Sequence, residues 1–199
     1  MDVFLLGRYQ AFIEQAIGRM GIRRGETILD LGSGTARNIF LMLDVLGSTG
    51  QVTGVDSSQD MVQEARQRCR DYPQVTFLRR RIEEPLPFHE VFDKTCISFT
   101  LHSLEDEDKE RVIDNLRRAL KPSGILWILD FNEFDLDLQW FPFRWAFRRI
   151  ECELGIEFLS LDLREMLARH GFGRFLTYPF LRNHVRLLGA EKTDAGGEA

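Results

Sequence analysis

The stretch Thr27–Ala36, with the sequence Thr-Ile-Leu-Asp-Leu-Gly-Ser-Gly-Thr-Ala, decides the fold of this chain. Its apolar start predicts a buried strand, and the two glycines that follow predict a tight turn into a helix over Asn38–Leu46. Such a turn presents backbone N–H groups to a ligand and lets the ligand approach closely. Asp30 adds a carboxylate at the carboxyl end of the strand, where open α/β sheets bind their ligands.

Two common nucleotide-binding patterns do not fit this turn. The dinucleotide fingerprint needs a third glycine at position 37, which is Arg37, and the Walker loop needs Gly-Lys followed by Ser or Thr. The remaining pattern, Asp-x-Gly-x-Gly-x-Ala, resembles motif I of the class I S-adenosylmethionine-dependent methyltransferases. The family has a glycine where this chain has Ala36. The resemblance implies S-adenosylmethionine as the cofactor.

Length and composition indicate one globular domain. The chain has 199 residues, of which 44% are hydrophobic and 29% are charged. Its net charge of −5 argues against a nucleic-acid-binding surface. Cys69, Cys96 and Cys152 are far apart in the sequence, so we expect reduced thiols and no metal site. Because the sequence has no secretory or membrane-spanning apolar run, the predicted location is the cytoplasm.

The second predicted strand, Gln51–Asp56, also ends in a carboxylate. Asp56 follows Gly32 by 24 residues (56 − 32), close to the offset of about 20 residues expected for a ribose-binding carboxylate. Such a group can accept hydrogen bonds from both ribose hydroxyl groups. The alternative is a helix-capping role, since Ser57 and Asp60 have the spacing of a capping box. The occurrence of Asp56 together with the glycine turn favours ribose binding.

The resemblance implies further cofactor-binding residues. In the loop after the third predicted strand, Arg81 or Ile82 stands where the family has an acidic residue. Ile82 is therefore expected to pack on the adenine, and Glu83 to accept a hydrogen bond from its amino group. The predicted cofactor-binding set is Asp30, Gly32, Ser33, Gly34, Asp56, Ser57, Met61, Ile82, Glu83 and Phe99.

Two residues are candidates for catalysis. The fourth predicted strand, Phe92–Phe99, runs into His102, and in the family this junction lies between donor and acceptor. His102, with an ordinary pKa near 6.5, is either a general base or a loop histidine that caps the next helix. The family also places a tyrosine of the N-terminal helix against the substrate, which makes Tyr9 a candidate; core packing is the alternative. The junction lacks the Asn/Asp-Pro-Pro-Tyr/Phe motif of nucleic-acid amino-methylating enzymes, so we expect no nucleic-acid substrate.

Alternating strands and helices through residue 130 predict an α/β fold with a parallel sheet and right-handed crossovers. A helix is predicted over Leu159–His170, followed by a hairpin of Phe175–Leu181 and Val185–Ala190. The resemblance adds a Rossmann-like, doubly wound, seven-stranded sheet, mostly parallel with a C-terminal antiparallel hairpin. We expect a single domain over residues 1–190 and a disordered tail over residues 191–199.

The segment Phe134–Ile150 interrupts this alternation with a dense set of aromatic and arginine side chains. The family inserts substrate-covering elements after the fifth strand, so residues 134–158 are expected to cover a small, lipophilic acceptor, quinone-like or lipid. The chain resembles quinone-biosynthesis and lipid-headgroup methyltransferases most. Trp140 and Trp145 with nearby arginines also suit transient contact with a membrane. The alternative is packing on the sheet edge or on a second subunit.

Two other functions stay open. An S-adenosylmethionine-binding regulator or scaffold would bind the donor without transferring a methyl group. An NAD(P)-dependent oxidoreductase is disfavoured by the arginine at position 37. The sequence predicts neither the methylated atom nor the oligomeric state.

Overall fold

The computed structural model describes residues 9–193, apart from the side chain of Tyr9. The strands are β1 Thr27–Leu31, β2 Gln51–Asp56, β3 Val75–Arg79, β4 Phe92–Ser98, β5 Leu120–Phe131, β6 Phe172–Phe180 and β7 Val185–Lys192. The helices are α1 Tyr9–Arg19, α2 Arg37–Leu46, α3 Gln59–Arg68, α4 Asp106–Ala119, α5 Phe141–Ile150, α6 Glu153–Glu157 and α7 Leu163–Arg169. Short 3-10 helices lie at Leu101–Ser103, Phe158–Ser160 and Leu181–Asn183.

The strands form one sheet in the order β3-β2-β1-β4-β5-β7-β6. The first five strands are parallel, and β7 runs antiparallel to both β5 and β6. This architecture confirms the predicted mostly parallel, seven-stranded sheet with a C-terminal antiparallel hairpin. The strand order reverses between β1 and β4, and ligands bind in the crevice outside the carboxyl ends of strands at such a point.

Burial explains why these segments form their elements. In β1, every residue after Thr27 is buried, as is typical of a parallel strand covered on both faces. The apolar residues of α1 at three- and four-residue spacing are also buried: Phe12, Ile13, Ala16, Ile17 and Met20. In α4 the same spacing buries Val112, Ile113, Leu116 and Ala119.

Three local predictions were wrong. The single helix over Leu159–His170 is absent, because Asp162 begins a new helix by accepting a hydrogen bond from the N–H of Glu165 at 2.9 Å. Helix α3 is capped by Ser58 and not by Ser57. Strand β7 continues to Lys192, two residues into the expected tail, because Lys192 pairs with Phe172. Residues 194–199 of that tail lie outside the described residues.

The segment after β5 forms a loop and then α5. Pro142 lies in the first turn of this helix, where its missing N–H has no intrahelical partner to lose. Phe147 is buried against Phe131, at the end of β5, with ring centroids 5.0 Å apart. Helix α5 is therefore held over the carboxyl end of the sheet. Across residues 9–193, no helix is long and apolar enough to cross a bilayer.

Candidate active site

The turn after β1 adopts a backbone that favours glycine. Gly32 and Gly34 have φ angles of +70° and +52°. A Cβ on Gly32 would lie 2.5 Å from Thr100 Oγ1, whereas a Cβ on Gly34 would meet no heavy atom within 4 Å. Gly34 therefore borders open space. Ala36 is also left-handed, at φ +67°, and starts α2 without a side-chain cap, so the first amides of α2 are not satisfied by that residue.

Asp56 joins this turn to α3. Its Oδ2 accepts a hydrogen bond from the N–H of Gly34, and its Oδ1 accepts one from the N–H of Ser58, both at 2.9 Å. Each carboxylate oxygen has a second lone pair, so these bonds leave capacity for ligand hydroxyl groups. Positioning the turn and binding a ribose are therefore compatible roles. Ser57 and Met61 are exposed beside Asp56.

Two buried polar groups beneath the turn are incompletely bonded. Asp30 Oδ1 accepts a hydrogen bond from Cys96 Sγ at 3.3 Å, but Asp30 Oδ2 has no partner among the described residues. Burial raises the pKa of Asp30 to about 7. Ser33 Oγ is also buried without a partner in this part of the chain. Because buried polar atoms are nearly always paired, these two orphans indicate a site built to meet a ligand or ordered water.

A side chain of α4 holds the loop after β3 in place. Asn115 Nδ2 donates hydrogen bonds to the carbonyls of Ile82 and Glu84, at 2.9 and 2.7 Å. Ile82 is buried, as expected for a residue that packs on a ring. The carboxylate of Glu83 pairs with Arg81. Burial opposes ionisation of Glu83, but hydrogen bonds from its own N–H and from Arg81 lower its pKa, and its role as an adenine acceptor stays a prediction.

Phe99 follows the last residue of β4 and has a left-handed conformation, at φ +48°. Its ring lies 6.2 Å from that of Phe12 and 6.4 Å from that of Phe131. On the β5 side of Phe99 is a cavity of about 530 Å³. It is lined by Phe99, Phe131, Gln139, Trp140, Pro142, Phe143, Phe147, Ile150, Glu151, Leu181, Arg182, His184 and Val185. Most of these side chains are apolar, and such a cavity suits an apolar ligand oriented by a few polar groups.

His102 lies behind this cavity. Its Nδ1 is 2.7 Å from Asp130 Oδ1, its backbone N–H donates to Asp130 Oδ2 at 3.2 Å, and its Nε2 is 3.6 Å from Glu151 Oε2. Burial opposes charging of the imidazole, but the hydrogen bond and charge of Asp130, with the charge of Glu151, outweigh it and raise the pKa of His102. The helix-capping alternative was wrong, because the N-cap of α4 is Glu105. The side chain of Tyr9 lies outside the described residues.

Comparison with known proteins identifies a methyltransferase domain in this chain. A family model described as a methyltransferase domain matches residues 28–124, from β1 through α4 into the first part of β5. The ubiquinone/menaquinone biosynthesis C-methyltransferase of Psychromonas ingrahamii is 33% identical over 135 residues. That match covers 66% of this chain and 53% of the relative.

Residues 28–124 form a domain of the class I S-adenosylmethionine-dependent methyltransferase family. The 2-phytyl-1,4-naphthoquinone methyltransferase of Trichormus variabilis is 34% identical over 149 residues, which are 70% of this chain and 64% of the relative. The chain thus spans between half and two thirds of the length of these relatives. A crystal structure of an S-adenosylmethionine-dependent methyltransferase from Aquifex aeolicus shares the fold, with a TM-score of 0.67 and 21% identity over 94% of this chain and 93% of that one.

S-adenosylmethionine is the cofactor of this family, and the residues of this chain fit it. The donor carries ribose hydroxyl groups, a carboxylate and two cationic centres. The carboxylates of Asp56 and Asp30 suit the hydroxyl and cationic groups, and the open face of Gly34 gives room for a closely bound ligand. No group of three His, Cys, Asp or Glu side chains suited to a metal ion occurs within residues 9–193.

Sequence analysis missed the residues that complete the cavity. Gln139 and Glu151 lie within the predicted insert of residues 134–158 but were not singled out, and the turn Leu181–Val185 carried no signal of a site. That turn contains consecutive left-handed residues, Leu181, Arg182 and Asn183, with φ between +49° and +71°. Because none is a glycine, the sequence does not mark the turn as unusual. Only the density of aromatic residues in Phe134–Ile150 pointed to this side of the sheet.

Proposed function

We propose that this methyltransferase transfers a methyl group from S-adenosylmethionine to a small, lipophilic acceptor of the quinone type. The observation that carries the proposal is the aromatic cavity bordered by Phe99, the residue that follows β4 between the predicted donor site and α5. Both curated relatives named above are quinone-biosynthesis methyltransferases by name. The cavity volume of about 530 Å³ is in the range of small-molecule sites, which run to roughly 300–1,000 Å³.

The donor is held by the residues predicted from the sequence. Asp56 binds the ribose, Ile82 packs on the adenine, and the backbone of Gly32–Gly34 admits the amino-acid end. Asp30 lies beneath the turn with its Oδ2 unpaired, and a bound cationic group would favour its ionised form. Ser33, Ser57, Met61, Glu83 and Phe99 complete the set. When bound, the donor supplies a methyl group already activated on a sulfonium, so the protein mainly orients the partners and excludes water.

The acceptor lies between α5 and the β6–β7 turn. The rings of Phe131, Phe143 and Phe147 form an apolar wall, and their packing fixes the wall in place, with centroids 5.0 and 5.8 Å apart. Residues 134–158 cover the acceptor as an insert within the single domain. His102 and Tyr9 remain the predicted candidates for acid–base chemistry, which is needed only when the acceptor carries its proton at working pH.

The outer face of the same insert suits contact with a lipid surface. Leu138, Trp140, Phe141 and Trp145 are 82%, 77%, 66% and 60% exposed. Trp140 also lines the cavity, so the mouth of the cavity opens next to this apolar face. Arg144, Arg148 and Arg149 lie on α5, as do Phe141 and Trp145. The arrangement fits a protein that docks transiently on a membrane to reach a lipophilic acceptor.

A methylation assay tests the acceptor. The full chain is incubated with S-adenosylmethionine carrying a labelled methyl group and with 2-phytyl-1,4-naphthoquinone reduced to its quinol. We expect labelled, methylated quinol, and no product from a donor-site variant, Asp56→Ala. Methylation of polar catechols in preference to lipophilic quinols would contradict the proposal. Donor binding without turnover on any acceptor would favour the regulator or scaffold alternative, and a thermal shift with NADH but not with S-adenosylhomocysteine would favour the oxidoreductase.

Liposome co-sedimentation tests the membrane contact. We expect Trp140→Ala and Trp145→Ala to reduce sedimentation with vesicles that contain anionic phospholipid. Leu176→Ala is the matched control, since Leu176 is an exposed apolar residue on β6, outside the insert. Equal sedimentation of all variants would contradict the membrane role. Because the net charge is −5, binding is expected to weaken as the fraction of anionic lipid becomes very high.

A further inference from the structure

Three titratable side chains near the cavity form a series in space that the sequence did not reveal. His102 was one of two predicted candidates for acid–base chemistry, yet its imidazole does not line the cavity. Glu151 does line it, and Glu151 Oε2 lies 3.6 Å from His102 Nε2. The other ring nitrogen of His102 is held by Asp130 at 2.7 Å. Three titratable groups thus run from the core to the cavity wall: Asp130, His102 and Glu151.

We propose that Glu151 is the catalytic residue that takes the proton from the acceptor, and that His102, held by Asp130, is a positioning residue that draws this proton away from the cavity. The inference rests on the proposed methyl transfer and assigns its base. Glu151 is the only carboxylate among the residues that line the cavity in the described part of the chain. A base must reach the proton that it removes, and His102 is separated from the cavity by Glu151.

The fold holds this series rigidly. Asp130 accepts hydrogen bonds from the N–H groups of both His102 and Phe131, at 3.2 and 2.8 Å. The imidazole is packed against the rings of Phe131 and Phe158, with centroids 4.8 and 6.4 Å away. A Cβ on Gly155 would lie 3.5 Å from His102 Cδ2, so α6 also covers the ring. The ring therefore keeps Nδ1–H directed at Asp130 and Nε2 directed at Glu151.

The step balances as follows. The acceptor atom forms a bond to the methyl carbon, the carbon–sulfur bond breaks, and its electron pair stays on sulfur, which becomes a neutral thioether. The proton lost by the acceptor, from a hydroxyl group or from the methylated ring carbon, goes to the Glu151 carboxylate. It then passes to His102 Nε2. A distance of 3.6 Å exceeds a hydrogen bond, so this transfer needs a small rotation of Glu151 or one bridging water.

Other charges surround the imidazole. Lys109 on α4 is buried and opposes protonation of His102, but its ammonium group is bonded to the carbonyl of Leu104 and to Asp106. Arg186 lies opposite Asp130 on β7 and pairs with Glu133 at 2.6 Å. Asp130 and Glu151 are thus the anions that act on His102, and removing Glu151 should change the titration of His102.

The first measurement is independent of the acceptor. The imidazole of His102 is titrated by NMR in the ligand-free full chain and assigned with a His102→Asn variant. We expect Glu151→Gln to lower the pKa of His102, because it removes a nearby opposite charge. Glu153→Gln, an exposed carboxylate two residues further on, is the matched control and should leave it unchanged. An unchanged His102 pKa in Glu151→Gln would overturn the proposal.

The second measurement uses single-turnover methylation of the phytyl-naphthoquinol. We expect Glu151→Gln to lower the rate at least a hundredfold and to remove the acidic limb of its pH profile, while S-adenosylhomocysteine binding stays within twofold. Glu151→Asp keeps the charge and should recover part of the rate. A full rate in Glu151→Gln would overturn the inference, whereas no turnover by the unmodified chain would overturn the proposed acceptor and leave the NMR titration to decide on Glu151.

Discussion

The proposed active site has a donor side and an acceptor side, which are built in different ways. The donor side, between β1 and β2, depends on backbone geometry: left-handed residues, a close approach to Thr100, and a carboxylate that binds two amides. The acceptor side, between β5 and β7, depends on side chains: a wall of phenylalanines and a few polar groups. The family model ends at residue 124 and so covers only the first of these.

This difference explains which part of the function is general and which is specific. Backbone geometry constrains a few positions strongly, and it leaves a short motif such as Asp-x-Gly-x-Gly that can be read in one sequence. A cavity wall can be built from many combinations of apolar side chains, so it leaves no motif. The donor is therefore evident from the family, and the acceptor must be inferred from shape and chemistry.

The largest effect is expected on the donor side, from the buried Asp30. Its pKa is raised from an ordinary 3.8 to about 7, so the folded chain holds a proton that the unfolded chain has lost between these pH values. Stability should therefore fall as the pH rises from about 4 to 7, by up to roughly 4 kcal/mol. Urea unfolding at pH 5 and pH 8 measures this slope. Asp30→Asn should reduce the slope and the exposed-site control Asp71→Asn should not; the remaining slope is expected from groups such as His102, whose pKa is also raised. An undiminished slope in Asp30→Asn would contradict the argument.

The next largest effect is a difference in stability between variants on the buried and exposed faces of α5. Phe147 is buried among Phe131, Phe134 and Phe143, so Phe147→Ala should destabilise the fold by about 3 kcal/mol through the cavity it leaves. Trp145 is 60% exposed on the same helix, and Trp145→Ala should change stability by less than about 0.5 kcal/mol. Thermal unfolding of both variants measures the difference. Equal losses would mean that the exposed face packs on a second subunit.

A smaller effect is expected at Asp56, the proposed ribose-binding carboxylate. Asp56→Ala removes charge-assisted hydrogen bonds worth roughly 1.5–3 kcal/mol each, so S-adenosylhomocysteine should bind at least tenfold more weakly. Calorimetric titration measures this. Asp60→Ala, in the exposed first turn of α3, is the control and should bind normally. Unchanged affinity in a folded Asp56→Ala variant would leave Asp56 with only its structural role in joining Gly34 to Ser58.

The smallest effect tests the backbone of the glycine turn. Ala36 is left-handed at φ +67°, where a Cβ costs about 1–2 kcal/mol, so Ala36→Gly should stabilise the fold by about 0.5 kcal/mol after the added freedom of the unfolded chain is subtracted. Gly18→Ala is the opposite exchange on an exposed position of α1, with no neighbour near the new Cβ, and should also stabilise by about 0.5 kcal/mol. Urea midpoints compare the two. A destabilised Ala36→Gly variant would show that packing of the buried methyl group outweighs the strain.

The sequence predicted the fold further than it predicted the site. Strand β2 was predicted with its observed bounds, and the helix after β1 to within one residue, because apolar periodicity and glycine turns are local signals. Leu159–His170 failed because Asp162 is a helix cap inside an otherwise periodic stretch, and periodicity does not reveal a cap of this kind.

His102 shows the limit more clearly. Its position after β4 made it a candidate, but its partners are 28 and 49 residues away in the sequence (130 − 102 and 151 − 102). Only the parallel pairing of β4 with β5 brings Asp130 to it, and only the path of the chain after α5 places Glu151 between it and the cavity. The order of such a series depends on tertiary structure and leaves no trace in residue spacing.

The insertion of β7 between β5 and β6 has a consequence for the order in which the protein folds. Strands β1 to β5 pair with one another and can form a sheet as soon as residue 131 has been synthesised, but β6 pairs only with β7. Leu181–Val185 reaches the cavity when β7 docks between these strands. During synthesis, which proceeds from the N-terminus, the chain therefore gains its donor-binding turn first and its acceptor cavity last. A ribosome-bound intermediate that ends near residue 170 is expected to bind S-adenosylhomocysteine while it still exposes the aromatic residues of α5, and so to be the species that chaperones recognise.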